Sequence, residues 1–365
     1  MFRHYKQYDA LTSREVSDQF QEQAAERRAQ SLARVEPIDL SATTWPAYPP
    51  HAVVNAITYA ARRGLHRYLD RHSVALRTAL AHEVGVPEGR LVVGDGIAQL
   101  VVAAAQALLE PGDELVTPWP SYGLYPVAAR RARANAVPVE GFSTETLLRA
   151  VNERTRVIAL CNPNDPTGEL IGAGELAELL AALPERVVVL LDEALRDFVD
   201  AEERDAALAL CERFPRLLVF RTFSKAWGLA GLRVGYAIGG PGAEGLLEQL
   251  EPELGVNELA QAGALEALRH ADVVERRVAV VAEQRARIAA ELPDFGLQAP
   301  ASQANFLWLR AEGLDGGQLA ERLQRGSVIV APGAALGDPE RVRVAVQGPP
   351  ATDRLLRALE LAHEG

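Results

Sequence analysis

The chain has 365 residues with 38 Lys+Arg against 49 Asp+Glu, a formal charge of −11, and it is 48% hydrophobic and 24% charged. That acidic balance, with basic clusters no longer than Arg130-Arg131-Ala132-Arg133, argues against nucleic-acid and membrane-surface roles, and no uninterrupted apolar stretch reaches membrane-spanning length. The N-terminus is too charged for a signal peptide, and Cys161 and Cys211 make neither a disulfide framework nor a zinc set, so a reducing cytoplasm and no metal are expected.

At about 150 residues per domain, the length implies two domains or one with an appendage. In chain order, residues 1–45 read as an N-terminal arm, expected to join the small domain and a dimer contact. Its Thr12-Ser13-Arg14-Glu15 has the form of a helix capping box, and Val16, Phe20 and Ala24 follow at helical spacing. Pro37, Pro46, Pro49 and Pro50 mark extended chain, and a charged helix is predicted from about 51 to 85. From about 91 to 250 short β-branched runs follow: Leu91–Val93, Glu114–Thr117, Ala136–Val139, Val157–Leu160, Val187–Leu191, Leu217–Phe220 and Val234–Ile238. They alternate with helical patterns over 97–109, 122–133, 173–182 and 205–213. This βα alternation predicts an α/β core with a mainly parallel sheet, its ligand at the C-terminal strand ends. After about 253 the character changes: residues 257–291 read as one long helical stretch. Strands Phe306–Leu309, Val328–Val330 and Val342–Val346 with helices 316–325 and 352–363 then make a smaller α+β unit. The expected domains are the arm 1–45, a large domain 46–255 and a small domain 256–365.

All but two of the 38 basic residues are Arg; the two lysines are Lys6 and Lys225. A composition that favours Arg should keep Lys where Arg cannot replace it, because an Arg side chain stays protonated whereas a Lys amine can form a Schiff base. Lys225 sits in Arg221-Thr222-Phe223-Ser224-Lys225-Ala226-Trp227-Gly228, after a strand and two hydroxyls, with Arg233 eight residues on. Another predicted strand ends in Leu191-Asp192-Glu193-Ala194, and a third is followed by Asn162-Pro163-Asn164-Asp165-Pro166-Thr167-Gly168.

These three motifs, in this order and at strand ends, resemble the fold-type I, pyridoxal-phosphate (PLP) dependent aminotransferases of class I/II. The histidinol-phosphate aminotransferase branch is the nearest likeness, from about 38 to 360. The resemblance implies a seven-stranded, mainly parallel sheet between helices, a small α+β domain, and PLP as cofactor. Lys225 would hold PLP as a Schiff base and move the substrate proton; Asp192 would pair with the pyridine nitrogen, making the ring an electron sink. Gly96, Ile97, Ala98 and Gln99, opening a helix after Gly94-Asp95, would hold the phosphate with Thr222, Ser224 and Arg233. Tyr122, in Trp119-Pro120-Ser121-Tyr122, would stack on the ring. Tyr68, in Arg67-Tyr68-Leu69-Asp70, would cross to the phosphate of the other subunit, which implies a homodimer. Arg343, two residues after Arg341 on the same strand face, would clamp a substrate carboxylate or phosphate, with Asn164 as a second substrate-binding residue. Ala304-Asn305-Phe306 matches a segment read as mostly structural.

Two positions depart from the family pattern. Asn in N-P-T-G and Tyr in D-E-A-Y are Asp165 and Leu195 here, so two hydrogen-bond donors to the PLP 3′-oxygen are missing. The expectation is a Schiff-base nitrogen that holds its proton more tightly, unless Asn164 or a water replaces them. The branch's Asn-Glu-Asn-Pro stretch is replaced by Ser41-Ala42-Thr43-Thr44-Trp45-Pro46, and a basic residue near 330 by Ala331-Pro332. One cation fewer favours an amino acid and a 2-oxo acid as substrates, in a ping-pong pair, over histidinol phosphate itself. A decarboxylase or oxidase on the same scaffold is the rival enzyme. A PLP-binding regulator is disfavoured, because the arm is too short for a winged helix. Side-chain specificity is expected to depend on the arm, Trp45, Tyr48 and the partner subunit.

Overall fold

A computed structural model describes residues 36–364; the predicted capping box at Thr12–Glu15 lies outside them. The arm enters as β1 (Ile38–Asp39). Each of the seven β-branched runs becomes a strand: β2 (Leu91–Gly94), β3 (Glu114–Trp119), β4 (Asn135–Glu140), β5 (Thr155–Cys161), β6 (Val188–Asp192), β7 (Leu217–Thr222) and β8 (Gly235–Gly239). They form one sheet in the order β2-β8-β7-β6-β5-β3-β4. Strands β3 to β7 run parallel, and β8 is antiparallel to both β7 and β2.

Why these runs are continuous rather than alternating follows from where the sheet lies. Successive side chains point to opposite faces, and both faces are covered by helices. Ile158, Leu160, Val189, Leu191 and Val219 fill the core on one face. Val157, Ala159, Leu190, Leu218 and Phe220 fill the other. Burying each such side chain stabilises by about 1.5–3 kcal/mol. The helix Ile97–Leu108 shows the matching pattern, burying Ile97, Leu100, Val101, Ala104 and Ala105.

A second sheet, in the order β12-β13-β10-β9, is antiparallel throughout: β9 (Leu297–Gln298), β10 (Phe306–Ala311), β12 (Ala331–Pro332) and β13 (Arg341–Ala345). The helices Gly316–Arg325, Pro349–Glu364 and Ala271–Glu291 pack with it or with one another. Gly316–Arg325 starts from a capping box between Asp315 and Gln318. The arm belongs to this side. β1 pairs in parallel with β11 (Val328–Ile329), and the Ala345 N–H donates to the Leu40 carbonyl at 2.9 Å.

The structure corrects three predicted elements. The helix expected over 51–85 is two, His51–Gly64 and Val74–Val84. Asp70 makes the break, its carboxylate accepting from the N–H groups of His72 (3.1 Å) and Val74 (2.7 Å), which starts a new helix. The stretch 257–291 is also two helices, Glu258–Leu268 and Ala271–Glu291. The turn at Arg269-His270 lets the first pack on His51–Gly64 and the second on Pro349–Glu364. The helix expected over 205–213 is confined to Leu208–Cys211. The run Val328–Val330 becomes a strand as expected, β11, and pairs with the arm.

Candidate active site

Parallel register brings the three motif-bearing strand ends side by side: Cys161 of β5 is opposite Asp192 of β6, and Asp192 is opposite Phe220 of β7. The chain leaving β7 carries Ser224 and Lys225 over this edge. A cavity of about 200 Å³ opens there, lined among others by Tyr122, Asp192, Leu195, Thr222, Lys225 and Arg233. The Lys225 ammonium donates to Thr43 Oγ1 at 2.5 Å. Burial lowers the pKa of the amine, against the opposing pull of Asp165, while Arg343 lowers it further. A buried lysine poised toward its neutral form is a nucleophile and a base.

Asp192 is 3% exposed. Its Oδ2 accepts from the Tyr125 hydroxyl at 3.0 Å and its Oδ1 from the Ala194 N–H at 3.0 Å. Burial nonetheless raises its pKa to about 6, outweighing those two donors. The site thus holds a carboxylate with an unmet need for a positive partner. Behind it, the next residue, Glu193, accepts from Arg221 Nε at 2.8 Å. Arg221 Nη1 also donates to Asp205 at 2.6 Å, and Arg196 reaches Glu202 at 2.6 Å and the Glu203 carbonyl. This buried ion network fixes the turn that presents Asp192.

An anion cup lies at the other end of the cavity. Gly96, at φ +78°, precedes the helix Ile97–Leu108 and leaves its N-terminus without a side-chain cap. A Cβ on Gly96 would stand 2.6 Å from Arg233 Nη2, and one on Gly235 2.8 Å from the Ile97 N. Both glycines therefore keep helix N–H groups open toward the guanidinium. Arg233 Nη1 donates to the Ala230 carbonyl (3.0 Å) and to Ser224 Oγ (3.3 Å), and Thr222 Oγ1 lies 3.0 Å from that same Oγ. A reactive amine, a buried carboxylate awaiting a cation and a phosphate-sized cup fit PLP.

A second cavity of about 320 Å³ shares Tyr122, Asp165 and Lys225 with the first and adds Thr43, Trp119, Leu336 and Arg343. Arg343 reaches it from β13. Its Nη1 donates to Asp165 Oδ1 at 2.5 Å and its Nη2 to the Ser41 carbonyl at 3.3 Å, while its buried Nε has no hydrogen-bond partner among the described residues. Arg341 is engaged locally with Asp338 and the Trp308 carbonyl. Asn305 donates from its side-chain amide to the Thr43 carbonyl at 2.9 Å, which holds the arm over the site.

Not every expected site residue faces a cavity. The Gln99 amide turns to the Leu250 carbonyl at 3.1 Å. Asn164 is fully buried; its amide group donates to the Pro120 carbonyl and to Thr167 Oγ1, and its oxygen accepts from Ser121. Its donors are spent on Pro120 and Thr167, so it does not replace the family's missing ones. Tyr68 is 99% exposed and away from this chain's own cavities. Trp45 lies beneath the Arg277 guanidinium, and Tyr48 is exposed. Two residues escaped the sequence reading. Tyr125, three positions after Tyr122 in the segment predicted as helical and edge-on to its ring at 5.7 Å, was readable from spacing; Thr43, from a distant segment, was not. Among the described residues no cluster could hold a metal, and no helix is long and apolar enough to cross a membrane.

The family model "Aminotransferase class I and II" matches residues 35–359. The aromatic amino acid aminotransferase of Corynebacterium efficiens is 39% identical over 326 residues, 87% of this chain and 92% of that protein. The histidinol-phosphate aminotransferase 1 of Nitrosococcus oceani is 35% identical over 331 residues, 90% and 89% of the two chains. The crystal structure of the Sinorhizobium meliloti histidinol-phosphate aminotransferase with pyridoxal-5′-phosphate has a TM-score of 0.81 at 27% identity, covering 93% and 94% of the two chains. The likeness covers both sheets and every strand end described above, and the chain belongs to the class I and II aminotransferases, PLP-dependent enzymes that move an amino group between an amino acid and a 2-oxo acid.

Proposed function

We propose that the amino donor is an amino acid with an apolar or aromatic side chain. The carrying observation is the composition of the second cavity. Trp119, Tyr122, Pro166, Ala335 and Leu336 make much of its wall, and among the described residues Arg343 is its one cation besides Lys225. A single guanidinium suits one carboxylate; a phosphate monoester or second carboxylate has no cation of its own. Relatives named aromatic amino acid aminotransferases, at 35–39% identity, support this reading. Histidinol phosphate is the second reading, favoured by relatives at 35% identity that carry that name.

PLP, when bound, supplies an electron sink for the electrons left at the substrate Cα. Lys225 would hold it covalently and, once released, take the Cα proton on Nζ and deliver it to the cofactor side. Its lowered pKa suits that alternation of base and acid. Asp192 would face the ring nitrogen and keep its proton in place, while Tyr122 would pack on the ring. Gly96, Ile97 and Ala98 would offer backbone N–H groups to the phosphate, with Thr222, Ser224 and Arg233 supplying hydroxyls and a cation. Arg343 would hold the substrate carboxylate. Tyr68, exposed on this chain, would reach the phosphate of a second subunit in a cytoplasmic homodimer. The arm 1–45, large domain 46–255 and small domain 256–365 would be the units, Glu258–Leu268 packing back onto the large one.

The test is an absorbance screen of the PLP form against amino acids and histidinol phosphate, with Lys225→Ala as control. Loss of the cofactor band with phenylalanine, tyrosine or leucine, and not with histidinol phosphate, is expected. Reaction with histidinol phosphate alone overturns the reading. Release of carbon dioxide or uptake of oxygen in place of transamination assigns the decarboxylase or oxidase alternative. Light scattering at a monomer mass would rule out the role given to Tyr68.

A further inference from the structure

We propose that Asp165 is a built-in competitor for the substrate carboxylate: in the substrate-free enzyme it occupies Arg343 and so sets the affinity for anionic substrates. The proposal rests on the reading of Arg343 as the carboxylate clamp. Asp165 follows β5 in the large sheet and Arg343 stands on β13 in the small one, 178 residues apart. Their side chains are only 14% and 13% exposed. An ion pair this sheltered from water is far less screened than one on the surface. An entering carboxylate therefore meets a guanidinium that is already neutralised.

The geometry shows what is at stake on each nitrogen. Asp165 takes Nη1, the Ser41 carbonyl takes Nη2 and Nε has no partner among the described residues. A carboxylate binds an arginine best through two parallel N–H donors. The Nε–Nη2 edge is closed to a ligand because Nε is buried and Nη2 donates to Ser41, so two-point binding is left to the Nη1–Nη2 end and requires Asp165 to withdraw from Nη1. If Asp165 stays, two carboxylates share one cation. Asp165 also lines the cofactor-side cavity and faces Lys225, so it has room to retreat along the shared wall. An uncharged Asn at 165 could still accept from Nη1, but it would leave the guanidinium charge unneutralised and would not repel an entering carboxylate. The competitor bears hardest on substrates with two negative groups, because the second finds no cation and Asp165 repels both. The class admitted is thus the monocarboxylate with an uncharged side chain.

The experiment compares a carboxylate with its neutral isostere on the PLP-loaded dimer or monomer as purified. Binding of 3-phenylpropanoate and 3-phenylpropanamide is measured by calorimetry for the wild type, Asp165→Asn, Asp165→Ser and Arg343→Gln, and for Asp165→Asn combined with Arg343→Gln. Neither ligand carries an amine, so affinity is read without turnover. The carboxylate should bind about tenfold tighter or more to both Asp165 variants, with the amide changed less than about twofold. Arg343→Gln should abolish the carboxylate preference, and the gain from Asp165→Asn should vanish in the double variant. An unchanged carboxylate-to-amide ratio in both Asp165 variants overturns the proposal, as does a gain that survives Arg343→Gln. A purely structural strap between the two sheets would lower thermal stability without moving that ratio. If the wild type converts histidinol phosphate and no amino acid, the substrate reading fails whatever the ratio does. If amino acids react and the ratio stays fixed, the competitor alone fails.

Discussion

The two walls of the active site are built in different ways. On the cofactor side, Asp192, Thr222, Ser224, Lys225 and Arg233 come from neighbouring strands of one sheet and the turns that follow them. On the substrate side, the contacts join distant segments. Lys225 meets Thr43 across 182 residues, Arg343 meets Asp165 across 178, and Arg343 meets the Ser41 carbonyl across 302. The first wall is as stiff as the core beneath it; the second rests on a few polar contacts between an arm, a loop and a small sheet. On the proposed roles, chemistry is tied to the rigid part, and selection to a part whose side chains can change without disturbing the core.

The comparison can be attacked at either wall. The largest effect is expected from Lys225→Ala, which should reduce the amino-transfer half-reaction by about 10⁴-fold or more while leaving circular dichroism unchanged. Residual turnover near the wild-type rate would end the assignment. Arg221→Met comes next. It leaves Glu193, a carboxylate already raised in pKa by burial, without its closest partner, and should cost about 3–5 kcal/mol in urea unfolding. A loss under about 1 kcal/mol would show that the sheet wall is not as rigid as argued.

A pH experiment probes the same wall. Asp192 sits at about 6 in the folded chain against an ordinary 3.8, so in the cofactor-free protein its contribution is most favourable below about 4. That contribution is lost as pH rises through about 6, a difference of roughly 3 kcal/mol. A cation opposite the carboxylate reverses the preference. The rise in Tm on adding PLP should therefore grow between about pH 5 and pH 7.5 and flatten in Asp192→Asn. Tyr125→Phe, which removes a donor to Asp192, should move the midpoint upward. A profile identical in wild type and Asp192→Asn would count against this pairing. The smallest effect belongs to the substrate wall. Thr43→Val removes the acceptor for Lys225 and should alter KM by a few-fold, with Tm within about 0.5 kcal/mol equivalent of wild type. A large stability loss there would erase the contrast between the walls.

Much of the cofactor wall was legible because its signals are local. Lys225 and Asp192 lie just past, and Arg233 just before, apolar runs whose continuity marks a buried sheet. Gly96 was readable as a turn before a helix. The substrate wall was less so. Asp165 and Leu195 were visible as departures, yet nothing near residue 165 announces that its partner is Arg343, because pairing across the two sheets is a tertiary fact. Thr43 was hidden for the same reason. The helices merged over 51–85 and 257–291 share one cause: helical periodicity persists across Asp70 and Arg269-His270, while capping and packing decide where the chain turns.

The pairing of β1 with β11 has a consequence for how the protein is made. All seven strands of the large sheet have been synthesised once Gly239 is in place, whereas Ile38–Asp39 must wait for Val328–Ile329, and Leu40 for Ala345. Contacts closed over such spans come late, and domains of a growing chain fold from the N-terminal side. The nascent chain therefore completes the cup proposed for the phosphate before it possesses Arg343, the proposed carboxylate clamp, and on that reading translation builds capacity first and discrimination second.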